Sequence, residues 1–303
     1  MKNESRISRR LFVLVALLTP LCASPVFTRN LKRQSDQEKD QTDRRIYLIM
    51  NREAAPPAPK KNVYKRVTPN APTPKAPTPK PPPTKASEPL EEMAVGITIW
   101  RLPPSATDDT KAMRVEANTP LSAGDHVFLT VESPRPGHLY VIDRETYSDE
   151  TFGGADLIFP ITRIRNGNNK IQAGVLVRIP DAADQPSYFT MTSATRKHIG
   201  EAVTVIIKPE PIADLQIKAR SYTLPEELFE RWESSWAATA VEQFSLVGAA
   251  GQAITEAEKE SSTGRTRKMT YDDPLPQIIY RISAKRDGPI FVTLPLSLRT
   301  KQQ

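Results

Sequence analysis

Cysteine is almost absent from this chain of 303 residues: there is one, Cys22, near the N-terminus. If processing removes the segment that holds it, disulfides, thiol nucleophiles and cysteine-ligated metals are excluded together. Histidine is nearly as scarce. His126, His138 and His198 stand apart, and none has a second His, Asp or Glu at the spacing a zinc site uses. The chain has no Gly-x-Ser-x-Gly elbow, no Walker loop and no dinucleotide glycine pattern, and Gly153-Gly154 is an isolated pair that reads as loop. The sequence therefore offers no catalytic, cofactor-binding or metal-binding set. Long apolar runs are missing too. The longest, residues 11–18 continued by Leu21, is broken by Thr19 and Pro20 before the ~20 residues a spanning helix needs.

That broken run is itself informative. Lys2, Arg6, Arg9 and Arg10 precede it, which is the charged start and short apolar middle of an export leader over residues 1–28. Ser8-Arg9-Arg10-Leu11-Phe12-Val13 is similar to the twin-arginine signal of leaders that carry folded cargo, although the arginines could equally supply charge alone. The processing site stays open. Leu21 is large for the −3 position of a cut after Ala23, Pro25 disfavours a cut after Ser24, and no small residue precedes Cys22 as lipidation wants. Retention as an uncleaved signal anchor is the alternative, and the membrane is then a partner only through the leader.

Proline and positive charge are abundant but badly distributed. Twelve of the 29 prolines fall in residues 56–89, where large apolar side chains are almost missing. Residues 71–85 repeat a five-residue period, Ala-Pro-Thr-Pro-Lys twice and then Pro-Pro-Pro-Thr-Lys. Such a stretch cannot bury enough surface to offset chain entropy, and its prolines favour extended polyproline II geometry. Residues 29–93 thus read as a disordered tether, with a lone apolar island, Ile46-Tyr47-Leu48-Ile49-Met50, that could dock elsewhere. The formal charge of +7 divides into +3 on residues 1–28, +8 on residues 29–88 and so −4 on the remainder. A nucleic-acid-binding fold would carry its basic residues on the fold itself, so that partner is not expected.

Residues 94–298 change to a period of two. Ile97 and Ile99 alternate with Thr98 and Trp100. Val127, Leu129 and Val131 share a face, as do Val175, Val177 and Ile179; Val203, Val205 and Ile207; Ile278, Tyr280 and Ile282; and Ile290, Val292, Leu294 and Leu296. These are half-buried strands. Turn sequences separate them at Ser122-Ala123-Gly124-Asp125, Pro134-Arg135-Pro136-Gly137, Asn166-Gly167-Asn168-Asn169 and Arg286-Asp287-Gly288-Pro289. No helical crossover interrupts the strands up to Ile207, so the expected fold is mainly β: an antiparallel β-sandwich, Ig-like in general shape. A helical insertion is expected over residues 223–262. Thr223 with Glu226 and Thr255 with Glu258 have capping-box spacing, and Leu224, Leu228, Trp232 and Trp236 make one apolar stripe that docks on the sheet. Residues 299–303 are a tail.

From Leu121 onward the chain resembles an uncharacterised bacterial family of unknown function, found in exported proteins and beside caspase-like or kinase modules. The resemblance rests on Leu121-Ser122-Ala123-Gly124-Asp125-His126-Val127, Gly137-His138-Leu139-Tyr140-Val141-Ile142-Asp143, Leu157-Ile158-Phe159-Pro160, Ala173-Gly174 with Ile179-Pro180, and Gly200-Glu201-Ala202-Val203-Thr204-Val205. It covers about residues 95–211, implies bacterial origin and brings no activity. Each motif has a structural reading. Gly124 and Asp125 make a turn into a strand, Gly137 allows the turn before Tyr140, Phe159-Pro160 closes a strand with a buried ring, and Gly174 opens another. Trp100 and Trp232 are candidate packing residues. Together the motif loops could form a shared recognition edge.

The remaining chemistry lies in the acidic pairs Asp108-Asp109, Asp149-Glu150 and Asp272-Asp273, which could ligate calcium or serve as glycosidase carboxylates but read as solvated loop charge. Two functions are carried forward. One is an exported, periplasmic or envelope-associated module, non-enzymatic, that binds another protein or a cell-surface polymer. The other is a carbohydrate-active hydrolase using loop carboxylates.

Overall fold

The computed structural model describes Tyr47 and residues 89–299, apart from 104–105, 107–110, 117, 194, 196, 238–240, 247 and 265. The leader, the Pro/Lys repeats and Asp108-Asp109 lie outside the described residues.

Among the described residues thirteen strands form two antiparallel sheets. The first has the order β11(Val241–Ser245), β12(Ile278–Lys285), β1(Leu90–Leu102), β3(His126–Glu132), β7(Leu176–Ile179), with β2(Met113–Val115) on β1 and β8(Phe189–Thr190) on β3. The second has the order β10(Tyr222–Thr223), β5(Asp156–Phe159), β4(Gly137–Tyr147), β9(His198–Lys208), β13(Ile290–Ser297), with β6(Lys170–Ile171) on β4. Between them the alternating positions meet in one core. Ile97, Ile99, Leu129, Val131, Val177, Ile179 and Tyr280 from the first sheet face Leu139, Val141, Val203, Val205, Ile207, Val292 and Leu294 from the second. The β-sandwich expected from the period-two pattern is the observed fold, and the four turn sequences fall between strands.

Strand β13 is half-buried as the alternation implies, with Val292, Leu294 and Leu296 buried and Thr293, Pro295 and Ser297 exposed, but β3 and β7 are buried nearly throughout. Central β1 reads buried on both faces from Ala94 to Trp100, because both outer faces are roofed. Helix α1(Glu226–Trp236) covers the second sheet: Phe229 and Trp232 pack on Tyr140, Ile142, Leu157, Ile206 and Phe291. Helix α2(Glu256–Gly264) covers the first at β7, while Ile254 just before it packs with Trp100, Phe128 and Leu102.

The two capping patterns part company. Thr255 and Glu258 form the expected box, with the Thr255 backbone N–H donating to Glu258 Oε2 at 2.9 Å and the Glu258 N–H to Thr255 Oγ1 at 3.3 Å. Thr223 does not cap α1. It is held in β10 against β5 and donates to Asp156 Oδ1 at 2.5 Å, so Pro225 becomes the N-cap and Glu226 turns to Arg144 at 3.0 Å. The predicted helical insertion also contains a strand, β11, and the apolar stripe of α1 includes Phe229, one position beyond Leu228.

Candidate functional site

The densest chemistry sits where β4 and β9 leave the core. Register pairs Asp143 with Val203, Glu145 with Glu201 and Tyr147 with His198, and pairs Asp143 with Asp156 on the other side. Leu139 and Val141 point inward, so the next residues of the same phase, Asp143, Glu145 and Tyr147, carry the inner face onward as polar groups. Glu201 does the same two residues before Val203. His198 is buried, its Nε2 lying 3.1 Å from Glu201 Oε1 and 2.9 Å from the Gly200 carbonyl, while Tyr147 donates its hydroxyl to Glu145. Asp143 Oδ1, Glu201 Oε2 and His198 Nδ1 are buried without a hydrogen-bond partner.

Burial, reinforced by Asp156 and Glu145, pushes the Asp143 carboxyl up to about 7. Burial, with Asp143 and Glu145 adding to it, pushes Glu201 up to about 8. Carboxyls this close in a poorly solvated layer cannot all ionise, so protons stay on them at neutral pH. The histidine, the hydroxyl and the carboxylates form two separate pairs, His198 with Glu201 and Tyr147 with Glu145. A serine-type relay needs its histidine to bridge a hydroxyl and a carboxylate, and here Tyr147 and His198 meet edge-on at 6.0 Å. Among the described residues no group of three His, Cys, Asp or Glu side chains is arranged to hold a metal ion.

The motif residues picked from sequence do not converge. Gly124 has φ +92° in the turn that leads into β3, and Asp125 closes it by accepting from the Ser122 N–H at 2.8 Å. Gly174, with φ +71°, lies beyond the opposite end of β3, where its N–H reaches the Ser133 carbonyl at 2.9 Å. Gly137 is required for a different reason from the one its position suggests: a side chain there would run into the Lys208 carbonyl of β9. Tyr140 faces α1 and its hydroxyl accepts from the Ile212 N–H at 2.8 Å. Phe159, before Pro160, is a fully buried ring at the end of β5. Trp100 lies on the other outer face, donating to Thr130 Oγ1 at 3.0 Å, and Trp232 is on the sheet-facing side of α1. These residues serve the fold at both ends and on both faces rather than one recognition edge.

The other histidines are structural as well: His126 stacks on Tyr188 at 3.9 Å, and His138, near the start of β4, lies 3.1 Å from the Pro209 carbonyl. Asp149 is an exposed turn residue held by Thr151 and Lys197, and Asp273 is tied to Arg267 at 2.8 Å. The hydrolase reading must therefore move from loop carboxylates to Asp143 and Glu201, which alternate with apolar residues in strands and so escaped a search for acidic pairs.

The sheet edges differ in how they are protected. At β7 the Leu176 N–H donates to Ser261 of α2 at 2.9 Å. Edge strand β13 carries Pro295, and β10 has only two residues. Strand β11 has none of these devices: five residues without proline or lysine pair with β12 on one side, no described strand pairs with the other, and Val241 is 46% exposed. Natural edges of this kind are normally blunted, so an open one is a candidate docking strand.

Comparison with known protein families, characterised proteins and solved structures gives no match to this chain. Among the described residues no helix is long and apolar enough to cross a membrane.

Proposed function

We propose that the chain is an exported, non-enzymatic envelope module related to the uncharacterised bacterial family it resembles, and that its sandwich captures an extended segment of another envelope protein along β11. The observation that carries this reading is the unprotected edge: among the described residues, β11 ends its sheet with no proline, extreme shortness or covering helix to blunt it. Main-chain hydrogen bonding along such an edge needs no catalytic group and tolerates a range of partner sequences.

Photo-crosslinking residues introduced at Val241 and Ser245 in the full chain, in intact cells, test this. A strand added to β11 gives crosslinks from both positions to one partner segment, with the two attachment points about four residues apart. Scattered crosslinks, or capture of an isolated surface polymer that is indifferent to Gln243→Pro, overturn it. The runner-up, a polysaccharide hydrolase, is favoured by the raised carboxyls of Asp143 and Glu201; turnover that disappears in Asp143→Asn while melting is unchanged would replace the binding role with that one.

A further inference from the structure

Tyr47 lies 43 positions before the first strand residue, Leu90, and yet is fully buried in the domain. It packs with Ala94, Leu246, Ala249, Leu275 and Ile279, next to Phe244 of β11. We infer that the outer face of the first sheet carries an aromatic-binding slot whose occupant is Tyr47 of the same chain, so that the chain is fastened to the domain at position 47 as well as at the start of β1.

The slot is built for a ring. On β1 the outward positions Ala94 and Gly96 are small, followed by the bulky Trp100 on the same face, which leaves a notch in an otherwise filled surface. A methyl group at Gly96 would stand 2.8 Å from the Tyr47 hydroxyl and would also run into Pro276, so the glycine is a requirement of close approach. The walls are rigid. Gln277 donates its side-chain amide to the Leu246 carbonyl at 2.8 Å and its backbone N–H to Thr98 Oγ1 at 3.0 Å, locking the two segments that flank the ring. On their other side Leu246, Ala249 and Leu275 line an open cleft of about 360 Å³, while the ring itself stays fully buried.

The geometry fixes what seating Tyr47 does. Its neighbour Ala94 is four residues from Leu90, about 13 Å along the strand. Positions 47 and 90 are therefore held close together on the domain, although a chain of that many residues could reach on the order of 100 Å if extended. With the ring seated, only the chain before residue 47 sets how far the domain stands from whatever holds its N-terminus. Releasing the ring adds the whole Pro/Lys segment to that reach. The inference stands independently of the role proposed for β11 and does not need it.

Double electron–electron resonance on the full chain with Cys22→Ser and spin labels at Asp43→Cys and Lys285→Cys reads the latch directly. The seated ring gives one narrow distance below about 40 Å. Tyr47→Ala converts it to a broad distribution reaching beyond about 60 Å, while Tyr47→Phe keeps it narrow because the slot is apolar. The same broad distribution with Tyr47 intact overturns the inference. So does a narrow distance that vanishes when labelled protein is diluted with unlabelled protein, which would place the ring in a second copy.

Discussion

The second sheet is roofed by rings and the first by ions and hydrogen bonds. Under α1, Phe229 and Trp232 lie on Tyr140, Ile142, Leu157 and Phe291 with few polar groups between them. Under α2, Arg114 is buried against Glu258, donates to the Leu275 carbonyl at 2.6 Å and stands 5.2 Å above the Trp100 ring. Nearby, Arg178 sits 3.7 Å over Phe128 and bonds the Pro180 and Ser187 carbonyls. An apolar roof is tolerant, since any well-filling side chains stabilise it. A polar roof is exacting, because each buried charge must keep its partners. The exacting roof is the one that abuts the Tyr47 slot, through Leu275.

The largest effect that separates the two faces should come from Arg114→Met. It strands Glu258 in the interior and is expected to cost about 3–5 kcal/mol in chemical denaturation, whereas the pair Arg114→Met with Glu258→Met recovers most of that loss. Trp232→Ala, on the apolar side, removes packing alone and should cost about 3 kcal/mol, with no rescue by any single polar partner. If both face variants behave alike in the double-mutant comparison, the distinction between the roofs is wrong.

A smaller effect concerns pH. An ordinary carboxyl titrates near about 4; Asp143 does so at about 7 and Glu201 at about 8. The folded state therefore holds protons that the unfolded chain has released, and stability falls as pH rises between about 4 and 8. Melting temperature should drop on going from pH 5.5 to pH 8.5, and Asp143→Asn with Glu201→Gln should flatten that slope. An unchanged slope in the double variant would mean that other groups set it.

The smallest expected effect compares Thr255, which caps its helix, with Thr223, which does not. Thr255→Ala breaks a complete box at α2 and should cost about 1 kcal/mol. Thr223→Ala loses only an exposed bond to Asp156 and should fall within about 0.5 kcal/mol.

Those threonines also show what the sequence could and could not say. Thr223-x-x-Glu226 and Thr255-x-x-Glu258 are the same local pattern, and strand pairing of β10 with β5 decides which one caps. The inner faces were legible because Ile97, Ile99, Val203 and Val205 obey one period. The same period, followed to its polar end, runs into Asp143, Glu145 and Glu201, so the carboxylate layer left a signal in the phase of the strands though not in any cluster of acids. Strand β11 left almost none: Val241-Glu242-Gln243-Phe244-Ser245 has no alternation, and only β12 beside it makes it a strand. Tyr47 was visible as part of an apolar island, but its destination depends on a notch made by Ala94 and Gly96, a contact that no local pattern encodes.

The final hairpin of the fold gives one strand to each layer, β12 to the first sheet and β13 to the second. Leu90 pairs with Lys285, and Ile207 with Ile290. On the side away from β3, β1 therefore waits at the ribosome for β12: with synthesis running at ~5–20 residues per second, the delay between Leu102 and Ile278 is on the order of 10–30 s. Until then β1 keeps one open edge, and the sandwich can be sealed only once β13 has been made.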